Sequence, residues 1–466
     1  MAGACLAASR RWAKSRRLHC AAVPPSLDAL KAELAEWIAI PSVSADPDHQ
    51  GDVRRAAEWV RDRVRLAGGG ADLVEWGDRP LVVGEVRASH APESAPTILC
   101  YGHFDVQPPD PLELWESPPF ELAERGGWLY GRGVADDKGQ LFMLLKAAEL
   151  LATAGELPVN LRFACDGEEE IGGHSIVDWL AQDTRGADAA VVYDGGMVSR
   201  DVPAFTLAVR GLCMLHVTVR TGERDLHSGV YGGASLNAMH ALMHSLAGVM
   251  PRDGRVPDAL RAGVIPPSAE EIAAWTSMPP GIDELEAAGS VPADAAAAAE
   301  FYVRTWAEPS VDVHGIAGGS PVLVKTVIPV EAQANVSVRL VGGQDHDEVA
   351  ATMERLLREA APPGADVEVT VHSASPAGLI PADARAVQLG LDAFEHVLGA
   401  RPLLNRTGGA IPLVSALARQ GVPTILTGFA LNESNVHSPN ERLVADYLTL
   451  GVRTTCELFH RLGELA

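Results

Sequence analysis

Short strand-like runs at Leu81–Val86, Thr97–Tyr101, Leu161–Ala164 and Ala189–Tyr193 alternate with helical patterns. This alternation constrains the fold more than any other feature of the chain. Each run has the length of a strand. In the helical stretches Leu27, Leu30, Leu34, Trp37 and Ile38 share one face, and Arg55–Leu66 and Gln140–Ala154 repeat that spacing. Strands and helices in alternation predict an α/β layer with a largely parallel sheet. From about residue 210 to 382 the pattern changes. Cys213–Arg220 and Gln333–Leu340 alternate apolar and polar side chains, as half-buried antiparallel strands do, while Ser235–Met250 and Asp347–Ala360 read as amphipathic helices. The α/β style returns at Ala384–Leu398, Pro423–Thr427 and Val444–Leu462. The expectation is an α/β domain over 28–209 and 383–466, interrupted by an α+β insert over 210–382. Residues 258–320, rich in Pro, Ala and acidic side chains, have no readable pattern.

At roughly 150 residues per domain, a chain of 466 residues holds two or three domains and buries ample core. Lys and Arg number 38 against 61 Asp and Glu, a net charge of −23. That balance argues against nucleic acid and against an anionic membrane surface as partners. No apolar run approaches the ~20 residues of a membrane span. Cys5, Cys20, Cys100, Cys165, Cys213 and Cys456 form no CxxC pair. Buried thiols in the reducing cytoplasm are expected rather than a disulfide framework. Residues 1–27 carry Arg10, Arg11, Lys14, Arg16 and Arg17 and no acid. Such a segment would suit an organellar transit peptide, but a disordered basic extension, or a start codon placed too far upstream, is the preferred reading.

The chemistry-bearing residues gather just past the apolar runs. Thr97–Tyr101 leads into Gly102-His103-Phe104-Asp105, where His103 and Asp105 fall on one side of an extended chain. Alone, such a pair is a weak signal, although a carboxylate commonly holds the second nitrogen of a metal-bound imidazole. Gly131–Gly139 places Asp136 and Asp137 side by side in a glycine-rich loop, costly if buried unless a cation neutralises them. Asp166-Gly167-Glu168-Glu169-Glu170 follows the strand Leu161–Cys165, and Asp194-Gly195-Gly196 follows the next. Solvated charge is the default for a run of Glu, but the carboxyl ends of strands are where open α/β sheets bind ligands. His437 stands near the C-terminus in His437-Ser438-Pro439-Asn440-Glu441. Imidazole and carboxylate together suit Zn, Mn or Co better than Ca.

The ordered series GHFDVQP, GRGVADDKG, DGEEEIGG, YDGG, DLHSGVYGG, KTVIP, GGAIP and HSPNE resembles the two-metal exopeptidases that include carnosine dipeptidases, carboxypeptidase G, acylases and succinyl-diaminopimelate desuccinylase. The likeness covers residues 28–466 and is strongest to the cytosolic nonspecific dipeptidase and carnosinase branch. It implies a zinc-exopeptidase (phosphorylase/hydrolase-like) α/β catalytic domain with an inserted α+β lid and dimerisation domain. It further implies two divalent ions per subunit, Zn first, with Mn or Co as alternatives. His103 and Asp194 would bind one ion, Glu170 and His437 the other, and Asp136 would bridge them, with a cis bond between Asp136 and Asp137. Asp105 would orient His103, and Glu169 would be the general base acting on a metal-bridging water. His227 would reach across a homodimer into the partner's active site to stabilise the oxyanion. Arg339 would grip the carboxylate of a small peptide, beside Thr326 and the Gly409–Ala410 loop. Those dipeptidases carry Ser where this chain has Ala410, which removes a hydroxyl donor and leaves the substrate preference open. The implied reaction is hydrolysis of dipeptides with a free C-terminal carboxylate. The alternatives are an N-acyl or N-carbamoyl amino acid amidohydrolase on the same core, and a non-catalytic metal or peptide binder. His174, His240, His244 and His314 have no motif support and read as structural or surface residues.

Overall fold

The computed structural model describes residues 25–76, 79–409 and 411–466. The expected basic extension thus lies, up to residue 24, outside the described residues. The longer strands are β1 (Gly70–Trp76), β2 (Arg79–Val86), β3 (Thr97–Tyr101), β4 (Asn160–Cys165), β5 (Ala189–Tyr193), β6 (Gly211–Arg220), β7 (Ser310–Ala317), β8 (Glu331–Leu340), β9 (Asp366–Ser375) and β10 (Thr424–Thr427). The longer helices are α1 (Leu27–Ile38), α2 (Gln50–Leu66), α3 (Lys138–Ala154), α4 (Ala238–Ala247), α5 (His346–Ala360), α6 (Arg385–Leu398) and α7 (Ala445–Leu462). They form two units. One comprises the chain up to Leu207, Ile380–Leu404 and Ala416–Ala466; the other is Ala208–Leu379 with Asn405–Ser415.

The first unit is built on a sheet of order β1-β2-β4-β3-β5-β10. Strands β4, β3, β5 and β10 are mutually parallel. The pairs β1–β2 and β2–β4 are antiparallel, a departure from the expected pattern at one edge. All residues of β4 and β5 are buried; β5 is an unbroken apolar run, while β4 also buries Asn160 and Arg162. Helix α7 packs on α1, α3 and α6, and α2 lies against β1 and β2. Trp37 of α1 stacks on Trp59 of α2 with ring centroids 4.3 Å apart. Among the described residues no helix is long and apolar enough to cross a membrane.

The second unit has an antiparallel sheet of order β7-β8-β6-β9, packed against α4 and α5. Alternation decides its faces. Cys213, Leu215, Val217 and Val219 of β6 and Ala332, Ala334, Val336, Val338 and Leu340 of β8 point into one core with Leu242, Leu246, Met353 and Leu357 of the helices. Each fully buried Val or Leu there contributes about 1.5–3 kcal/mol. Helix α4 is shorter than the pattern Ser235–Met250 because the Asn237 side chain caps it, accepting from the N–H of Met239. Residues 258–320 fold as the short helices Ala269–Trp275, Gly281–Ala287 and Phe301–Trp306, followed by β7. The strip Asn405–Ser415, expected with the first unit, packs with the second. Arg406 is buried there, donating from Nε to Glu271 Oε1 at 2.7 Å and from Nη2 to Oε2 at 3.2 Å.

Candidate metal centre

Because β4, β3 and β5 are adjacent and parallel, their carboxyl ends lie side by side. From these ends come His103 and Asp105, then Asp166–Glu170, then Asp194. The chain leaves β3 through Gly102, where a Cβ would stand 2.6 Å from Asp137 Oδ2. Only glycine lets the strand end approach the Asp136–Asp137 loop so closely. The N–H of His103 then donates to Asp137 Oδ2 at 3.1 Å. The Asp136–Asp137 bond is cis.

The side chains converge on Asp136. Its Oδ1 lies 3.0 Å from His103 Nε2, and its Oδ2 lies 2.9 Å from His437 Nε2. The same nitrogen of His437 is 2.9 Å from Glu170 Oε2. Ligand atoms of His103, Asp136 and Glu170 fall within 4.8 Å of one another. His103 Nδ1 is 3.2 Å from Asp105 O and 3.3 Å from Asp105 Oδ1. Asp105 Oδ2 also accepts from the N–H of Glu170 at 3.2 Å. Gln107 donates to Glu170 Oε2 at 2.9 Å, which aims that carboxylate. His437 has φ 61°, a left-handed backbone unusual for a residue with a Cβ.

Electrostatics single out the cluster. The hydrogen bonds to Asp136 and Glu170 push the His437 imidazole up to about 10. Burial works to raise the Asp136 carboxyl, yet His103 and His437 hold it below the ordinary carboxylate range. Burial lifts Glu169 and Asp194 above that range; the charges of Asp136 and Glu170 add to this, while His103 opposes it. Glu169 has no hydrogen-bond partner for its carboxylate among the described residues. So many carboxylates around two imidazoles repel one another, and added positive charge would relieve that repulsion. The donor set, imidazole nitrogen with carboxylate oxygen, fits divalent Zn, Mn or Co.

The remaining candidates belong to the second unit, apart from Ala410, which lies outside the described residues. His227 pairs with Val327 in a two-residue ladder, and its Nδ1 accepts from the N–H of Gly229 at 3.0 Å. Ser228 donates through both N–H and Oγ to Thr326 O, so His227 and Thr326 share one local framework. Arg339, opposite Ser310 across β7 and β8, has no ion-pair partner among the described residues. Gly409 O accepts from the N–H of Arg210 at 2.9 Å.

The profile of peptidase family M20/M25/M40 matches residues 99–461. The chain belongs to this family. It is a peptidase and therefore a hydrolase. The cysteinylglycine-S-conjugate dipeptidase of Corynebacterium striatum is 30% identical over 431 residues, covering 90% of this chain and 92% of that protein. The Cys-Gly metallodipeptidase dug1 of Schizosaccharomyces pombe is 28% identical over 479 residues, covering 94% and 96%. Among solved structures, an M20 family metallo-carboxypeptidase, Sso-CP2 from Sulfolobus solfataricus, superposes with a TM-score of 0.78 at 25% identity, covering 93% of this chain and 99% of that one. These likenesses bear out the expected α/β fold class with its inserted α+β region.

Sequence reasoning missed several residues of this M20 peptidase. Gln107, inside the motif GHFDVQP, steers Glu170. Arg210 is buried, donating from Nη1 to Thr305 O at 2.9 Å and from Nη2 to Ser310 Oγ at 2.6 Å. Its partners are a carbonyl and a hydroxyl, which leave no charge pattern to find. Arg132 and Glu441 form a buried pair at 2.9 Å. Their membership of the motifs GRGVADDKG and HSPNE was the available signal.

Proposed function

We propose that this peptidase hydrolyses dipeptides bearing a free C-terminal carboxylate, with two divalent ions at the strand ends. The observation that carries the reading is Asp136, which turns one oxygen to each imidazole; its charge also acts on Glu169, whose carboxylate has no bonded partner among the described residues. His103 and Asp194 would hold one ion, Glu170 and His437 the other, with Asp136 between them. Ions bound there, Zn or else Mn or Co, would supply the acidification of a water and the polarisation of the scissile carbonyl. Glu169 takes the proton from the attacking water and later delivers it to the leaving nitrogen. Its burial raises the proton affinity that both transfers need. Asp105 fixes the His103 tautomer. Arg339 is the fork for the substrate carboxylate, with Thr326 and the Gly409–Ala410 loop beside the peptide. His227 acts in the active site of the partner subunit of a homodimer, as the oxyanion donor. The buried, unbridged thiols of Cys100, Cys165 and Cys213 support a cytoplasmic location.

The test is release of free amino acids from a panel by the purified chain, with Zn or Mn and after chelation. The panel holds Gly and Ala dipeptides, β-Ala-His, and N-acetyl and N-carbamoyl amino acids. Metal-dependent cleavage of the free-amine dipeptides is expected. Cleavage of the N-blocked compounds alone would move the assignment to an amidohydrolase, a reading that the missing hydroxyl at Ala410 keeps in view. Activity on none of them would leave a non-catalytic binder.

A further inference from the structure

Glu441 closes the motif HSPNE, four positions after His437, and its side chain is 1% exposed. Antiparallel pairing of Arg442–Val444 with Trp128–Tyr130 sets it beside Gly131, whose N–H donates to Glu441 O at 3.1 Å. From that point the carboxylate reaches under the loop that carries Asp136. Oε2 accepts from Arg132 Nη1 and from the N–H of Gly133, both at 2.9 Å. Oε1 accepts from the N–H of Ala135 at 2.8 Å and of Asp136 at 3.1 Å. A carboxylate offers about four acceptor positions, and here every one is taken by residues 132–136.

Those bonds connect two groups far apart in the chain. Asp136 is held at its own N–H by Glu441, while its carboxylate faces His437. His437 and Asn440 both have φ 61°, a conformation that persists only where the surroundings over-determine it. The Asn440 side chain is fixed at the other side, donating to Leu114 O at 2.7 Å and accepting from the N–H of Glu116 at 2.9 Å. Glu441 is thus the anchored end of a strained ligand loop and the floor of the loop opposite.

We propose that Glu441 is a positioning residue that sets the Asp136 carboxylate and the His437 imidazole in register for the metal ions. It touches neither ion nor substrate. The inference rests on reading Asp136 and His437 as ligands. A plain structural tie would stabilise the fold with or without metal; a positioning role changes how metal is held.

The test uses the full chain, stripped with a chelator and titrated with Zn by calorimetry, then with Co for its visible absorption, and melted with and without Zn. Glu441→Gln is expected to weaken Zn binding about 10–100-fold, alter the Co spectrum and shrink the Zn-dependent rise in Tm. Glu441→Asp keeps the charge but draws it back by one methylene, and serves if the Gln variant does not fold. It is expected to lose affinity in the same direction. Wild-type Zn affinity and Co spectrum in whichever variant folds, with only a lower metal-free Tm, would overturn the proposal. His437→Ala is the separate check: if it binds Zn as the wild type does, the ligand reading itself fails.

Discussion

Asp136 faces one imidazole from the end of β3 and another from a loop more than three hundred positions later. This single side chain therefore makes the site a product of the whole fold. Among the described residues the Glu169 carboxylate has no hydrogen-bond partner, and its proposed role gives a sharp expectation. Glu169→Gln should retain metal and lose turnover by about 10²–10⁴-fold, measured as metal content alongside dipeptide hydrolysis. Wild-type turnover in that variant would remove Glu169 as the base. His103, Asp136, Glu170 and His437, which the structure brings together, were all legible in the sequence, because each stands in a short motif next to a strand or loop glycine. Arg210 was not, since a buried guanidinium that donates to a carbonyl and a hydroxyl leaves no complementary charge to notice.

At the scale of elements, legibility followed burial. β5, buried throughout, announced itself as an apolar run, and β4 did so apart from the buried Asn160 and Arg162. β1 and β9 sit at sheet edges with few fully buried side chains, so neither carries an apolar stripe. The helices within 258–320 are too short for a period to emerge, and their packing comes from afar. Trp275 meets Trp306 edge to face at 5.4 Å, and Glu271 meets Arg406 across 135 positions. Breaking that buried pair by Arg406→Ala should destabilise the second unit by about 3–5 kcal/mol, because Glu271 is left charged and unpaired. Burial works to raise Glu271, but Arg406 and Ser268 hold its carboxyl below the ordinary 4.5. Unfolding then takes up protons near that pH. The pair's stabilisation is present in full above the ordinary value and fades as pH falls through the lower folded one. Urea midpoints followed from about pH 6 to about pH 3 should therefore fall less steeply in Glu271→Gln than in the wild type. Parallel curves would remove this pair from the acid response.

At the scale of the molecule, the proposed homodimer makes a claim that mixing can check. His227→Ala and Glu169→Gln chains should each be inactive alone. After subunit exchange, a hybrid dimer holds one site with an intact Glu169 and an intact His227 from the other chain, so the mixture should regain about a quarter of wild-type activity. No recovery, with hybrids verified by mass, would place His227 in the service of its own subunit or of none. The interruption of the first unit by the second was legible as a change from α/β alternation to antiparallel patterning. The return of Asn405–Ser415 to the second unit was not, since the Arg406 pairing that holds it is long-range. One consequence of the strand order concerns the protein's birth. β10, which pairs with β5, and the His437 loop are synthesised long after Asp194. At ~5–20 residues per second, roughly 10–50 s separate these events on the ribosome. Throughout that interval the nascent chain carries the acidic residues proposed as ligands without the His437 that would complete the set. If His437 is the ligand proposed, a newly made peptidase stays inactive around its own ribosome until its sheet is whole.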